Sequence, residues 1–213
     1  MNLLHRRLCS SQRWARAIED QLLPWALEDV DLGPEALEIG PGYGATTRVL
    51  LRKVERLSII EVDEASVAGL RREFGDRAEV VHGDGTALPW SDGSFDSVAC
   101  FTMLHHVPSV WRQDTLFAEA CRVLRPGGLF TGCDALSSWG FRLIHLGDTC
   151  VPVPPETLGE RLRRAGFAHA EVTIGEGSFR FKAVAAGQRA YGPVSAASIR
   201  TATSWGSPRH PRT

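Results

Sequence analysis

The sequence predicts an α/β domain built around a mostly parallel β-sheet. From residue 35 onward, short apolar runs alternate with segments of helical periodicity, which is the pattern of successive βαβ units. A length of 213 residues suits one such domain with a modest extension, and it leaves no room for a second domain of ordinary size.

Five strands and four helices are predicted in the first three quarters of the chain. The strands are Ala36–Ile39, Arg56–Val62, Ala78–His82, Ser94–Phe101 and Gly127–Asp134, and the helices are Ala45–Lys53, Glu64–Phe74, Val110–Leu124 and Pro155–Ala165. The Pro126-Gly127-Gly128 segment predicts a turn before the fifth strand. Two more alternating segments, His169–Ile174 and Phe179–Ala185, flank Gly175-Glu176-Gly177 and predict a hairpin.

The two ends of the chain differ from this central domain, residues 34–187. Residues 1–33 are predicted to be helical, because apolar residues recur at helical spacing until Pro24 breaks the pattern. We expect this segment to close over a ligand as a lid, or else to pack on the sheet. Residues 188–213 contain no acidic residue and little apolar surface, so a disordered tail is expected.

Composition excludes several function classes. With 24 basic and 25 acidic residues the net charge is -1, which argues against a nucleic-acid or membrane-surface binder. No apolar run reaches the ~18 residues of a membrane span, and the first residues lack the apolar stretch of a signal peptide, so a cytoplasmic protein is expected. The five cysteines include no C-x-x-C pair, and the His and Cys spacings indicate no metal site.

The strongest motif is the segment Leu37–Thr47, LEIGPGYGATT, in which a strand leads into glycines and then into a helix. Gly40, Gly42 and Gly44 permit positive φ and close approach of the backbone to a ligand. The helix start offers free amide donors. Glu38, just before the loop, could reach a ligand's amino group. The same letters match the dinucleotide fingerprint, so a nicotinamide-dependent oxidoreductase is an alternative, disfavoured because no Tyr-x-x-x-Lys pair is present.

Two acidic residues at strand ends are candidate nucleoside contacts. Asp63 follows the second strand about 20 residues after the glycine loop, where a carboxylate can accept both ribose hydroxyls. Asp84, between Gly83 and Gly85, could accept from an adenine amine. Glu61 is a weaker ribose candidate, because strand alternation separates it from the position of Asp63. Solvated strand-end acids are the alternative interpretation for Asp63 and Asp84.

Taken in order, the motifs EIGPGYGATT, IIEVDEAS, HGDGTALPWSDGSFD, FTMLHHV and RVLRPGGLF resemble the class I S-adenosylmethionine-dependent methyltransferases of the small-molecule type, from about Ala36 to Ala185. The resemblance implies a Rossmann-like, doubly wound, three-layer α/β/α fold. Its seven strands would have the order 3-2-1-4-5-7-6, with one antiparallel. It also implies that S-adenosylmethionine is the cofactor. The cofactor-binding residues expected are Glu38, Gly40, Gly42, Gly44, Asp63, Glu64, Asp84 and Gly85, with Leu88 near the adenine ring.

Methyl transfer is expected at the end of the fourth strand, because ligands of open α/β sheets lie beyond the carboxyl ends of strands. His105 and His106 are the candidate general bases, with a structural role as the alternative. Asp134, at the end of the fifth strand, is a further candidate for the pocket wall. Aromatic side chains and His145, in the long segment before the last helix, could cover an apolar acceptor or simply pack; the aromatic ones are Trp139 and Phe141.

The expected function is therefore methyl transfer to a small-molecule acceptor, with release of S-adenosylhomocysteine. A non-catalytic protein that binds S-adenosylmethionine and acts by interaction is the second alternative. A nucleic-acid acceptor is disfavoured by the net charge and because the fourth strand ends in CFTM rather than in an Asn/Asp-Pro-Pro-aromatic signature. The sequence does not identify the acceptor or an oligomeric state.

Overall fold

The computed structural model describes residues 2–187, which form a seven-stranded sheet between two layers of helices. The strands are β1 (Glu35–Ile39), β2 (Arg56–Glu61), β3 (Ala78–His82), β4 (Phe95–Phe101), β5 (Leu124–Ala135), β6 (Phe167–Ile174) and β7 (Ser178–Ala185). Their order is β3-β2-β1-β4-β5-β7-β6, and β7 pairs antiparallel with both of its neighbours while all other pairs are parallel. The expected doubly wound fold, strand order and terminal hairpin are thereby confirmed.

Eight α-helices connect or cover these strands within the described residues. They are α1 (Leu3–Cys9), α2 (Gln12–Ala17), α3 (Leu23–Ala26), α4 (Ala45–Leu50), α5 (Glu64–Phe74), α6 (Val110–Val123), α7 (Trp139–Ile144) and α8 (Pro155–Arg164). A π-helical turn joins α2 to α3, and a 3-10 turn, Leu104–His106, follows β4. The short helix α7 was not predicted. Among these helices, none has both the length and the apolar character that a membrane crossing requires.

Buried apolar side chains form one cluster on each face of the sheet. One cluster joins the sheet to α6 and α8, and includes Phe117, Phe130 and Leu162. The other joins it to α3, α4 and α5, and includes Leu23, Phe74 and further buried residues of β1 and β2. Because both faces are covered, the central strands carry runs of adjacent apolar residues, such as residues 98–101 of β4.

Two local predictions were wrong. Pro24 does not end the N-terminal helical segment: it lies in the first turn of α3, directly after the π-helical turn Ile18–Leu22. The Pro126–Gly128 segment is a bulge inside β5 rather than a turn before it, since Leu124 already pairs with Phe95 before the register shifts. Residues 188–213, predicted as a tail, lie outside the described part of the chain.

The contact between β1 and α4 contains a buried carboxyl group. Glu38 is 1% exposed, and its side chain accepts hydrogen bonds from the hydroxyls of Thr46 and Thr47 at the start of α4. Burial, which disfavours the charged form, raises the pKa of Glu38 to about 7, although the threonine hydroxyls act in the opposite direction.

We expect Glu38→Gln to remove a pH-dependent loss of stability. Because the pKa of Glu38 rises from its ordinary 4.5 to about 7 on folding, its contribution to stability is complete below pH 4.5 and is lost as the pH rises through 7. Glutamine stays neutral, so urea unfolding at pH 5 and at pH 7.5 should show the variant gaining on the wild type by up to roughly 3 kcal/mol. Parallel pH profiles for the two proteins would contradict the assignment.

Candidate functional site

The glycine loop between β1 and α4 forms the floor of the candidate site. Gly40, Gly42 and Gly44 have φ values of 68°, 57° and 77°, a region that L side chains rarely adopt. A Cβ at Gly44 would lie 2.5 Å from Phe74, and one at Gly40 would lie 2.9 Å from Met103, so these two glycines are needed for packing. A Cβ at Gly42 would meet no atom within 4 Å. The open space lies at Gly42, where a ligand can approach the backbone.

Glu61, the last residue of β2, lies directly beside this loop. Its Oε2 accepts a hydrogen bond of 2.9 Å from the amide of Gly42, and its Oε1 accepts from the amides of Val62 and Asp63. Glu61, which the sequence ranked below Asp63 as a ribose candidate, is therefore the acid that contacts the glycine loop directly. The reason is register: Ile39 of β1 pairs with Ile60 of β2, so the two strands end level with each other.

Asp63 has a different environment from Glu61. It is exposed and is the N-cap of α5, where its carboxylate accepts a 2.7 Å hydrogen bond from the amide of Ser66. That hydrogen bond lowers the pKa of Asp63. Glu64 follows as the first residue of α5 and is exposed, in a position where a negative charge complements the helix dipole.

Asp84 lies in the loop after β3 and is half-buried. Its Oδ1 accepts hydrogen bonds from the amide and hydroxyl of Thr86, both at 2.8 Å, and its Oδ2 pairs with the Arg112 guanidinium of α6. Burial raises the pKa of Asp84, but these hydrogen bonds and the charge of Arg112 outweigh it and hold the pKa below its ordinary value. The glycine at position 85 is required for packing, because a Cβ added there would lie 2.7 Å from Ile39.

A buried histidine–aspartate pair lies at the carboxyl ends of β4 and β5. His105 Nδ1 is 2.5 Å from Asp134 Oδ1, and the His105 amide donates to Asp134 Oδ2 at 3.0 Å. The two residues are 4% and 1% exposed. Thr102, the first residue after β4, has a φ of 52°. This strained residue turns the chain so that His105 faces Asp134.

Of the other residues predicted near His105, three lie beside its ring and one does not. His106 is half-buried, and burial with neighbouring imidazoles lowers its pKa to about 3, so its ring is neutral at pH 7. His145 and Phe141 of the α7 region contact the His105 ring, with centroids at 4.8 Å and 5.0 Å. Trp139 is 92% exposed and takes no part in this contact.

Helix α1 lies across both regions. The Arg6 guanidinium lies near the side chain of Tyr43 in the glycine loop, and this neighbour raises the pKa of Arg6. Asn2 donates to the carbonyl oxygens of Ile144 and Leu146, and His5 Nδ1 is 2.9 Å from Asp148 Oδ2. The first helix therefore bridges the glycine loop and the segment after α7.

Sequence reasoning missed several of these residues. No motif marked Arg112, Arg6 or His5, and Met103 lies in the FTMLHHV motif but was not singled out. Glu61 had a signal, since it is an acid at the end of a strand that neighbours the loop strand, and counting register between the two strands would have found it. Trp14, which belongs to the segment 1–33 that was expected to form a lid or to pack on the sheet, packs against the core cluster on the α3 side of the sheet.

The chain was compared with known proteins. Residues 37–131 match the model of a methyltransferase domain family. A probable S-adenosylmethionine-dependent methyltransferase of Mycolicibacterium smegmatis is 36% identical over 46% of this chain and 37% of that protein. The ubiquinone/menaquinone biosynthesis C-methyltransferase of Methylobacterium nodulans is 33% identical over 68% of this chain and 60% of that protein. The chain thus matches less than two thirds of the length of either relative.

Solved structures agree in fold. An S-adenosylmethionine-dependent methyltransferase from Aquifex aeolicus superposes with a TM-score of 0.64 at 17% identity, over 86% of this chain and 98% of that one. A chain from the complex between the Haloferax volcanii Trm112 methyltransferase activator and a methyltransferase superposes with a TM-score of 0.67 at 17% identity, over 87% of this chain and 99% of that one. With the matched domain, the relatives and the shared sheet order, the chain belongs to the class I S-adenosylmethionine-dependent methyltransferases.

Proposed function

We propose that the protein transfers a methyl group from S-adenosylmethionine to a small-molecule acceptor and releases S-adenosylhomocysteine. The observation that supports this most is the arrangement at one edge of the sheet. The open face of Gly42, the carboxylate of Glu61 and the buried His105–Asp134 pair all lie at the carboxyl ends of parallel strands. Ligands of open α/β sheets bind at this edge.

The residues present suit the cofactor. Gly42 leaves room for the methionine half, as the glycine loop was expected to do. Glu61 offers a buried carboxylate with four lone-pair sites, of which backbone amides use three. We propose Glu61, through the site that remains, as the acceptor for one ribose hydroxyl, with Asp63 as the alternative. Asp84 remains the proposed partner of the adenine amine, and it would share its carboxylate with Arg112.

The His105–Asp134 pair is the proposed proton acceptor. The sulfonium group of the cofactor supplies an activated methyl group, so the protein contributes mainly alignment and exclusion of water. Asp134 accepts a hydrogen bond from His105 Nδ1–H, and in the neutral ring this leaves a lone pair on Nε2. His145 Nε2 lies 3.1 Å from this nitrogen, so His145 has to move aside before His105 Nε2 can take the proton that an acceptor loses.

Within the N-terminal segment 1–33, helix α1 is proposed to act as a lid, whereas α3 is packed in the core. Helix α1 touches the glycine loop through Arg6 and the α7 segment through Asn2 and His5, so it covers both the cofactor side and the acceptor side. Access to the buried His105 requires this cover to move.

The small-molecule acceptor class is supported by the near-neutral charge and by one relative. The relative that aligns over 68% of the chain is named for C-methylation in ubiquinone/menaquinone biosynthesis, so phenolic and quinol compounds are the first acceptors to test. Calorimetric titration with S-adenosylhomocysteine, with NAD as the control ligand, tests the cofactor. An acceptor screen that measures S-adenosylhomocysteine release then tests turnover. Binding of NAD in place of S-adenosylhomocysteine would overturn the proposal.

We expect Glu61→Gln to weaken S-adenosylhomocysteine binding by about 10–100-fold, because a hydrogen bond to a charged acceptor contributes ~1.5–3 kcal/mol. Asp63→Asn is the matched control. Asparagine caps a helix as well as aspartate does, so this variant should bind S-adenosylhomocysteine with the wild-type affinity. Calorimetry on both variants distinguishes the two acids. The reverse result, with loss in Asp63→Asn alone, would return the ribose contact to Asp63.

We expect His105→Gln to lower kcat by on the order of 100-fold with an acceptor that must lose a proton, the usual contribution of a general base. Affinity for S-adenosylhomocysteine should not change, since His105 is not among the proposed cofactor contacts. Asp134→Asn should lower kcat in the same direction, because it no longer fixes the tautomer of His105. His169→Gln, an exposed change on β6, is the control. Full turnover in His105→Gln would show that this histidine is structural.

A further inference from the structure

Four histidines from three separate segments meet beside the candidate site. His5 comes from α1, His105 and His106 from the turn after β4, and His145 from the residue that caps α7. The ring centroids of His5 and His145 are 4.4 Å apart, and those of His105 and His106 are 4.1 Å apart. His5, His105 and His145 are each less than 10% exposed. So dense a group of buried imidazoles raises the question of where their protons lie.

The hydrogen-bond partners of the rings answer this question for His106 and His145. His106 Nδ1 lies 3.2 Å from the carbonyl oxygen of Thr149, and His145 Nδ1 lies 2.7 Å from that of Phe141. A carbonyl oxygen only accepts, so each Nδ1 carries the proton. In a neutral ring this leaves Nε2 as a bare lone pair.

The same holds for the other two rings. His5 Nδ1 is 2.9 Å from Asp148 Oδ2, and His105 Nδ1 is 2.5 Å from Asp134 Oδ1. Ionised carboxylates also only accept, so both Nδ1 atoms donate. All four rings therefore present Nε2 lone pairs.

The contacts between the rings bring ring nitrogens close to one another. His105 Nε2 and His145 Nε2 lie 3.1 Å apart, so two acceptors face each other. One ring nitrogen each of His5, His106 and His145 also lies within 4.8 Å of the other two. A single proton satisfies one pair of acceptors, whereas a metal ion with four coordination positions satisfies three or more lone pairs at once.

We propose that His5, His106 and His145 bind one divalent transition-metal ion, of which zinc is the best match, through their Nε2 atoms. Imidazole suits zinc, and three histidines with one open position are an established zinc geometry. Zn–N bonds of about 2.0–2.1 Å in a tetrahedron place the nitrogens about 3.4 Å apart, so a small contraction of the present group completes the site. His105 lies beside the ion and keeps its pairing with Asp134.

The surroundings of the three rings match those of metal-binding histidines. Such histidines donate their second ring N–H to a carboxylate or a backbone carbonyl, which fixes the tautomer and the ring orientation. Here the partners are Asp148 for His5, the Thr149 carbonyl for His106 and the Phe141 carbonyl for His145. An ion at this point joins α1 to the two segments beneath it. This is a second site, separate from the cofactor contacts.

The test uses the full-length chain without a polyhistidine tag, stripped of metal with a chelator. Zinc is titrated in competition with a chromophoric chelator, and we expect one equivalent to bind. His106→Gln and His5→Gln should each lose more affinity than the ~10–100-fold expected for Asp148→Asn, which removes only the carboxylate behind His5. His169→Gln, an exposed histidine on β6, should bind zinc as the wild type does.

Two further readouts keep the proposal falsifiable. Cobalt(II) in place of zinc should give the strong visible absorption of a four-coordinate site, and His106→Gln should lose it. Zinc should raise the Tm of the wild type and of His169→Gln but not of His106→Gln. If His5→Gln does not fold, the zinc affinity of Asp148→Asn is used instead to test whether His5 is a ligand. Absence of zinc binding by the wild type at micromolar concentration, or equal binding by all variants, would overturn the proposal.

Discussion

The register of the central parallel strands is the constraint on which the candidate site depends. β1 lies between β2 and β4, and Glu38 pairs with Ile59 on one side and with Ala99 on the other. This alignment ends the three strands at one edge, so the glycine loop, Glu61 and the His105 turn meet there. A slip of one residue would exchange the faces of a strand. Glu61 would then point away from Gly42.

Patterns within one segment were predictable, because their physical causes are local. Short apolar runs bounded by glycine and polar residues gave the strands, since both faces of a parallel sheet are buried. The starts of α5 and α6 also have a local cause, since Asp63 and Ser109 cap them. The bulge in β5 was not predictable from Pro126 and Gly127, because the same residues suit a turn equally well. Pairing of Leu124 with Phe95 decides between the two, and that contact is tertiary.

Contacts between distant segments were not predictable from the residues themselves. His5 and Asp148 are 143 positions apart, and the carbonyl oxygens that orient His106 and His145 belong to the backbone, which has no sequence signature. The prediction that the chain has no metal site rested on spacing along the sequence. The spacing of residues along the sequence reveals ligands that share one loop or helix. It does not reveal a group assembled from three separate segments. For the same reason the His105–Asp134 pair was foreseen only as two separate candidates.

Helix α1 links the two halves of the site energetically. Its described contacts are polar: Arg6 with Tyr43, Asn2 with backbone carbonyls, and His5 with Asp148. None of His5–Cys9 belongs to either core cluster of the described chain. Each such polar contact contributes only about 0.5–3 kcal/mol, so α1 is held less firmly than the packed sheet, which suits the proposed lid. Because Arg6 and His5 are adjacent on one helix turn, a displacement of α1 at the glycine loop would also separate His5 from the histidine group. The proposed lid therefore links the glycine loop to the histidine group through one short helix.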